Sequence, residues 1–205
     1  MSECSLIYDG RVTRAAPLPP DERRAALIAA TEPLLEKFGR EVSTRQIAEA
    51  ANVAEGTIFR AFATKDALID AVLEDVFDVQ RTCDELHRID LALDLQARMV
   101  AAVAVLQARL RKVFALFHSM RLGSRPDQHD FRSRQHQDNE RLNAGIARLL
   151  HPDHERLRVP SAEAANALRA VTFALTHPIV GNDRHPRPEQ IVDLLLHGVA
   201  AEAGC

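Results

Sequence analysis

The chain has 205 residues and a formal net charge of −3, a length for one or two compact domains, and it lacks the bulk basic excess that is the simplest mark of a nucleic-acid binder. Hydrophobic residues make up 46%, charged residues 27% and aromatics 4%, with no Trp; abundant Ala and Leu with sparse Gly favour an all-helical globular protein and exclude a disordered chain. Cys4, Cys83 and Cys205 are far apart and odd in number, which excludes a disulfide framework and sets the expectation of a reducing cytoplasm.

Residues 1–19 read as a tail, closed by Pro17, Pro19 and Pro20, which set up a helix start. Glu3, Asp9, Arg11 and Arg14 interrupt any signal-peptide pattern there. Asp21 is placed to cap a helix running from Arg24 to Phe38, with Leu27, Ile28, Leu34, Leu35 and Phe38 as its apolar side and Gly39 as its stop. Pro33 inside that pattern is expected to weaken or kink it. A short helix follows from Thr44 to Ala51, capped by Ser43 or Thr44, then a turn at Asn52 and Val53, then a helix from Glu55 to Phe62. Thr64 caps a longer helix over Lys65 to His87.

From Leu91 to Met120 apolar residues recur at steps of three or four, through Leu95, Met99, Val103, Leu106, Leu110, Phe114 and Phe117. That is an amphipathic helical stripe, expected as two helices meeting near Arg109–Lys112. Met99 to Leu106 is apolar throughout but far short of the ~20 residues of a membrane span. A loop around Pro126, a polar helix from Asp130 to Leu150 with an edge of Leu142, Ile146, Leu149 and Leu150, and a loop from His151 to Pro160 come next. Ser161 caps a helix to His177, and after a loop over Pro178 to Pro188 a last helix runs from Glu189 to Glu202. The order gives an all-α chain: a tail (1–19), an N-terminal helix-turn-helix domain (20–70) and a C-terminal helical domain (71–205).

The informative stretch is Ser43 to Leu68. Ile47, Ala48 and Ala51 give the first short helix a small apolar face, Val53 fills the space under the turn, and Ile58 and Phe62 bury the inner face of the second. Glu55, Gly56, Thr57, Arg60 and Ala61 are left outward, the face that enters a major groove in a helix-turn-helix protein. Spacing alone also fits three short helices packed as a core. Arg45, Arg60 and Lys65 are the point charges nearest this face.

The run Thr44–Arg45–Gln46–Ile47–Ala48, Ala51, Val53, Gly56–Thr57–Ile58–Phe59–Arg60, Phe62 and Lys65–Asp66–Ala67–Leu68 resembles the DNA-binding domain of the TetR family of one-component regulators, over about a quarter of the chain. The resemblance implies phosphate contacts from Thr44, Ala54, Glu55 and Lys65, with Phe59 standing where a Tyr often reaches a phosphate. It implies base reading mainly from Arg45, Glu55, Gly56, Thr57 and Arg60, although the place of Glu55 at a helix start favours a helix-start charge over a base reader. The chain departs from the family's usual pattern at Ala54 (Ser), Asn52 (Gly) and Ala61 (Tyr or His); with Phe59 also lacking a hydroxyl, a lower DNA affinity or an unusual operator is expected.

The resemblance further implies a homodimer formed through the last two helices, whose apolar faces carry Ala165, Leu168, Val171, Thr172 and Leu175, then Ile191, Leu194, Leu195 and Val199. It implies a small-molecule effector between the middle helices of the second domain, with Met99, Val103, Leu110, Phe114, Phe117, Met120 and Phe173 as candidate ligand contacts; by default that stripe is core. The helix from Lys65 to His87 is expected to couple the two domains. No cofactor is expected, and no metal: His129 and His136, or His151 and His154, make no recognised ligand set. No nucleophile with an orienting base is evident, so an enzyme is not expected. The reading is a cytoplasmic transcription regulator, a repressor released from its operator by a ligand.

Overall fold

The computed structural model describes residues 19–120, 128–181 and 186–198, and side chains for all of these except 128–134. The described residues are helical, with no strand. Among the described residues nine α-helices follow one another: α1 Pro20–Phe38, α2 Thr44–Ala50, α3 Glu55–Ala61, α4 Lys65–Phe77, α5 Gln80–Arg88, α6 Leu95–Ser119, α7 Gln128–Leu150, α8 Ser161–Thr176 and α9 Pro188–His197. The tail, the loop around Pro126, Val199 and the expected end of the last helix at Glu202 fall outside the described residues.

Several boundaries differ from the sequence reading. Pro20 occupies the first position of α1, where its missing N–H costs nothing, so Asp21 sits in the first turn and is not the cap. Pro33 lies inside α1 without ending it. Ser161 is likewise the first residue of α8, after Pro160. The expected helix over 65–87 is two. At Gln80 the N–H that a continuing helix would give to the Val76 carbonyl goes instead to Asp78 Oδ1 at 2.9 Å. The freed carbonyls of Val76, Phe77 and Asp78 all accept from the Arg109 guanidinium, at 2.9, 2.9 and 3.0 Å. α6, conversely, is one helix with no break near Arg109–Lys112. It begins at Leu95, not Leu91, because Asp94 caps it by accepting from the Ala97 N–H at 2.8 Å.

Burial resolves two apolar cores. One gathers Leu27, Leu35, Ile47, Ile58, Phe62 and Leu68 through Val76 from α1–α4, so it extends beyond residue 70. The other gathers α5, α6, α7, α8 and α9 around Val103, Leu106, Ile146, Leu149, Leu168 and Ile191. α6 belongs to both. Its first half, from Leu95 to Leu106, lies in the C-terminal core, while Leu116 and Met120 at its end are buried in the N-terminal one. Two contacts fix that end: Lys112 Nζ reaches Glu32 Oε1 on α1 at 2.7 Å, and Gly39 packs against the Ser119 carbonyl. The element shared by the two halves is therefore α6. The α4–α5 stretch expected in that role is split between the cores at Asp78.

Arg98 ties the far end. It is 2% exposed, donates to the Leu91 and Leu93 carbonyls at 2.8 and 2.6 Å, and pairs with Asp153 in the turn after α7. Asp153 also accepts from Arg156 at 2.8 Å. Those two guanidinium hydrogen bonds, Arg156's first, hold its carboxyl below the ordinary carboxylate value, with desolvation opposing them.

Candidate nucleic-acid interface

The geometry of the head begins at Ser43. Its hydroxyl accepts the Gln46 N–H at 3.2 Å while its own N–H donates to Gln46 Oε1 at 2.8 Å, a reciprocal cap that starts α2 sharply. Ser43, not Thr44, is thus the cap. Asn52 holds the turn at φ +53°, the left-handed region that Asn tolerates. Ala54 precedes α3 and offers no side-chain cap.

Ile58 and Phe62 are buried against α1 and α2. Arg24 of α1 stacks over the Phe62 ring at 4.1 Å and donates to the Ala61 carbonyl, closing the C-terminal end of α3. No local pattern marks this clamp, because Arg24 and Ala61 are 37 residues apart. With the inner face fixed, Gly56 and Arg60 form the outward row of α3, one turn apart, and Glu55 and Phe59 form the row beside it. Phe59 is 51% exposed, and a methyl built on Gly56 meets nothing within 4 Å. Thr57 is half-buried on the other flank.

Charges on this face are mostly engaged. Arg45 Nε pairs with Glu49 at 3.0 Å. Lys65 is half-buried, its ammonium donating to the Arg40 and Val42 carbonyls at 3.0 and 3.2 Å, so it braces the turn before α2. Arg40 pairs with Asp66 at 3.5 Å. The Thr44 hydroxyl donates to Glu55 Oε1. Among the described residues Arg60 is a cation of α3 with no such partner, and it is exposed. The nine residues expected at a DNA surface thus lie on or beside α2, α3 and the start of α4, with Lys65 and Thr44 already spending hydrogen bonds inside the head.

The seven expected ligand contacts are spread over more than one place. Met99 and Val103 are buried in the C-terminal core, and Met120 in the N-terminal one. Phe117 packs on Phe77 at 5.5 Å. Phe114 meets Phe173 edge-on at 5.5 Å and His177 at 4.7 Å, a half-exposed aromatic group between α6 and α8, with Leu110 half-buried on the same helix. A cavity of about 450 Å³ between the end of α8 and α9 is lined by Leu175, Val180, Pro186, Gln190 and Leu194. Another of about 300 Å³ between α1 and the α4–α5 corner is lined by Asp21, Arg24, Ile28, Glu32, Asp75 and Arg81. None of the seven candidates lines either. The apolar faces named on α8 and α9 turn inward, with Ala165, Leu168, Thr172 and Ile191 buried, leaving Ala162, Asn166, Ala170 and Phe173 outward on α8.

His151 and His154 stack at 5.3 Å. Among the described residues no three His, Cys, Asp or Glu are grouped to hold a metal ion, and no helix is long and apolar enough to cross a membrane.

Comparison with known proteins places this geometry. Residues 27–72 match the sequence pattern of the "Bacterial regulatory proteins, tetR family". Over 69 residues the chain is 49% identical to YvkB of Bacillus subtilis (strain 168), described as an uncharacterized HTH-type transcriptional regulator; the match covers 34% of this chain and 36% of the relative, about a third of each. The fold is shared with a TetR transcription regulator from Haloarcula marismortui (TM-score 0.60, 17% identity, 85% of this chain and 95% of that one). It is shared also with a transcriptional regulator from Rhodococcus sp. Rha1 (0.58, 18%, 87% and 99%) and one of the TetR/AcrR family from Thermobifida fusca (0.58, 19%, 88% and 100%).

Proposed function

We propose that this chain, whose residues 27–72 match the bacterial regulatory proteins of the TetR family, is a DNA-binding transcription regulator of that family, acting as a homodimer that represses from a pseudo-palindromic operator and leaves it when a small molecule binds the C-terminal helices. The observation that carries DNA binding is the outward row of Gly56 and Arg60 on a helix whose inner side is clamped by Phe62 and Arg24. That row offers a bare backbone and an unpaired guanidinium to a groove. A dimer follows from the need to reach successive major grooves about 34 Å apart. The small outward residues of α8, with Phe173, suit a partner helix at close range.

Ligand control runs through α6. Its end is a structural member of the head, so any ligand that shifts α6 along α8 moves Leu116, Met120 and the Lys112–Glu32 pair with it. Only a ligand that binds the two arrangements with different affinity shifts the equilibrium.

The neutralised charge of the head favours a second reading, a helical interaction protein whose head no longer holds DNA. Fluorescence anisotropy on the DNA flanking the protein's own gene, with unrelated DNA as control and at two salt concentrations, separates the two. Specific binding that weakens steeply with salt supports the regulator. Equal, weak binding to both DNAs supports the interaction protein.

A further inference from the structure

Glu55 is the odd member of the DNA face. It is exposed, it stands at the first position of α3, and its partner among the described residues is a neutral hydroxyl, that of Thr44. Glu49, the other acid nearby, is neutralised by Arg45. A carboxylate that keeps its full charge on this surface repels phosphates, so it is useful in a complex only where it meets a hydrogen-bond donor. In the major groove the donors are the exocyclic amino groups, N4 of cytosine and N6 of adenine. Adenine sets its amino group beside its own N7 acceptor, a pattern matched by the donor and acceptor of Asn or Gln, whereas a carboxylate, an acceptor only, pairs with the N4 donor of cytosine. The Thr44 hydroxyl donates to one carboxylate oxygen, Oε1, which leaves Oε2 available to accept from a single donor.

We propose that Glu55 is a specificity-determining residue that reads the N4 amino group of a cytosine in the operator half-site, with Thr44 as its positioning residue. The inference rests on the DNA-binding reading above. It adds what that reading lacks, a base identity. It also gives the acid a second effect: at sites without the cytosine the carboxylate faces an acceptor or a phosphate and lowers affinity, so discrimination is gained at the expense of overall binding strength.

The test is selection of binding sites from randomised duplex DNA by the full-length chain, run in parallel with Glu55→Ala, Glu55→Gln and Thr44→Val, each checked for an unchanged melting curve. The wild type is expected to select a motif containing a fixed cytosine in each half-site. Replacing that base should weaken binding about tenfold. Glu55→Ala should keep the rest of the motif, lose that one position, and bind unrelated DNA more tightly than the wild type does. Glu55→Gln, with donor and acceptor side by side, should move the preference from cytosine towards adenine. Thr44→Val should blur the position without shifting it. A motif that Glu55→Ala and Glu55→Gln leave unchanged overturns the inference while the regulator reading stands; a wild type that selects no motif overturns both.

Discussion

The same chemical change, glycine to alanine, should have opposite consequences at Gly39 and Gly56. Gly39 has φ +56° and ψ −143°, close to a region that only glycine enters readily; another residue held there costs on the order of 1–3 kcal/mol. Its added Cβ would also lie 2.3 Å from the Ser119 carbonyl oxygen and 3.1 Å from the carbonyl carbon. That carbonyl is backbone at the end of α6, held there by buried Leu116 and Met120, so relief requires moving α6 off α1, an overpacking cost of roughly 1–3 kcal/mol more. Gly39→Ala should therefore lose about 2–6 kcal/mol, a large part of a typical domain's stability. Gly56 meets nothing and has no unusual φ, so Gly56→Ala should leave stability unchanged or raise it by up to ~1 kcal/mol from helix propensity, less in a first turn. Its effect belongs to the complex, where the methyl enters the groove, and operator affinity should fall about tenfold, the order of one lost base contact. Urea unfolding followed by circular dichroism, with operator titration of both variants, reads all of this. A loss below about 1 kcal/mol in Gly39→Ala would refute the close approach of α6 to α1. Undiminished operator affinity in Gly56→Ala would refute the placing of that row in the groove.

Arg109→Met keeps an unbranched stem but removes the donors to Val76, Phe77 and Asp78; it should cost about 2–3 kcal/mol, since two of the stranded carbonyls are partly screened from water, and hydrogen exchange should quicken around residues 76–82. Burial already pushes the Arg109 pKa down from its ordinary value, with Asp138 and Asp78 opposing, so a loss below about 0.5 kcal/mol would mean that desolvation cancels the bonds. The Asp153 carboxyl has a lowered pKa in the fold; its contribution is present above the unfolded value near ~3.9 and disappears as pH falls through the lower folded value. Unfolding curves of the wild type and Asp153→Asn should therefore differ at neutral pH and converge in acid; a constant gap would dissociate Asp153 from Arg98 and Arg156. Arg60→Ala should weaken operator binding more than Arg45→Ala, because Arg45 is shared with Glu49 while Arg60 is unpaired; equal losses in a titration would count against that ranking.

Local signals were the legible ones. The cap at Thr64, the stop at Gly39, the turn at Asn52 and the inward pair Ile58 and Phe62 each depend on neighbours within a few residues, and each appears where the pattern puts it, while the choice of Ser43 over Thr44 as the cap of α2 is made only in the structure. Continuity of the long helices was misjudged for the converse reason. α4 ends where it does because Arg109, about thirty residues away in sequence, takes its carbonyls, and no periodicity in Lys65–His87 encodes that. Leu91–Met120 has one apolar rhythm but serves two cores in succession, so the change of partner near Arg109 looked like a change of helix. At the DNA face the residue types were readable and their engagements were not: that Lys65 props a turn and Thr44 holds Glu55 emerges only in three dimensions. Six of the seven proposed ligand contacts come from the apolar stripe Leu91–Met120, with Phe173 of α8 as the seventh, and a stripe says which side is apolar, not which neighbour covers it.

The burial of Leu116 and Met120 among residues of α1–α4 bears on protein engineering. A sensor made by grafting this head onto another regulator at the Asp78 corner would leave behind two of its core side chains and the carbonyl against which Gly39 is fitted. Such a hybrid would inherit a hollow, and a foreign helix with other side chains at the equivalent depth would have to fill it. The portable unit is discontinuous: 19–78 together with 112–120, so the natural place to splice a new sensor is within α6, before Lys112.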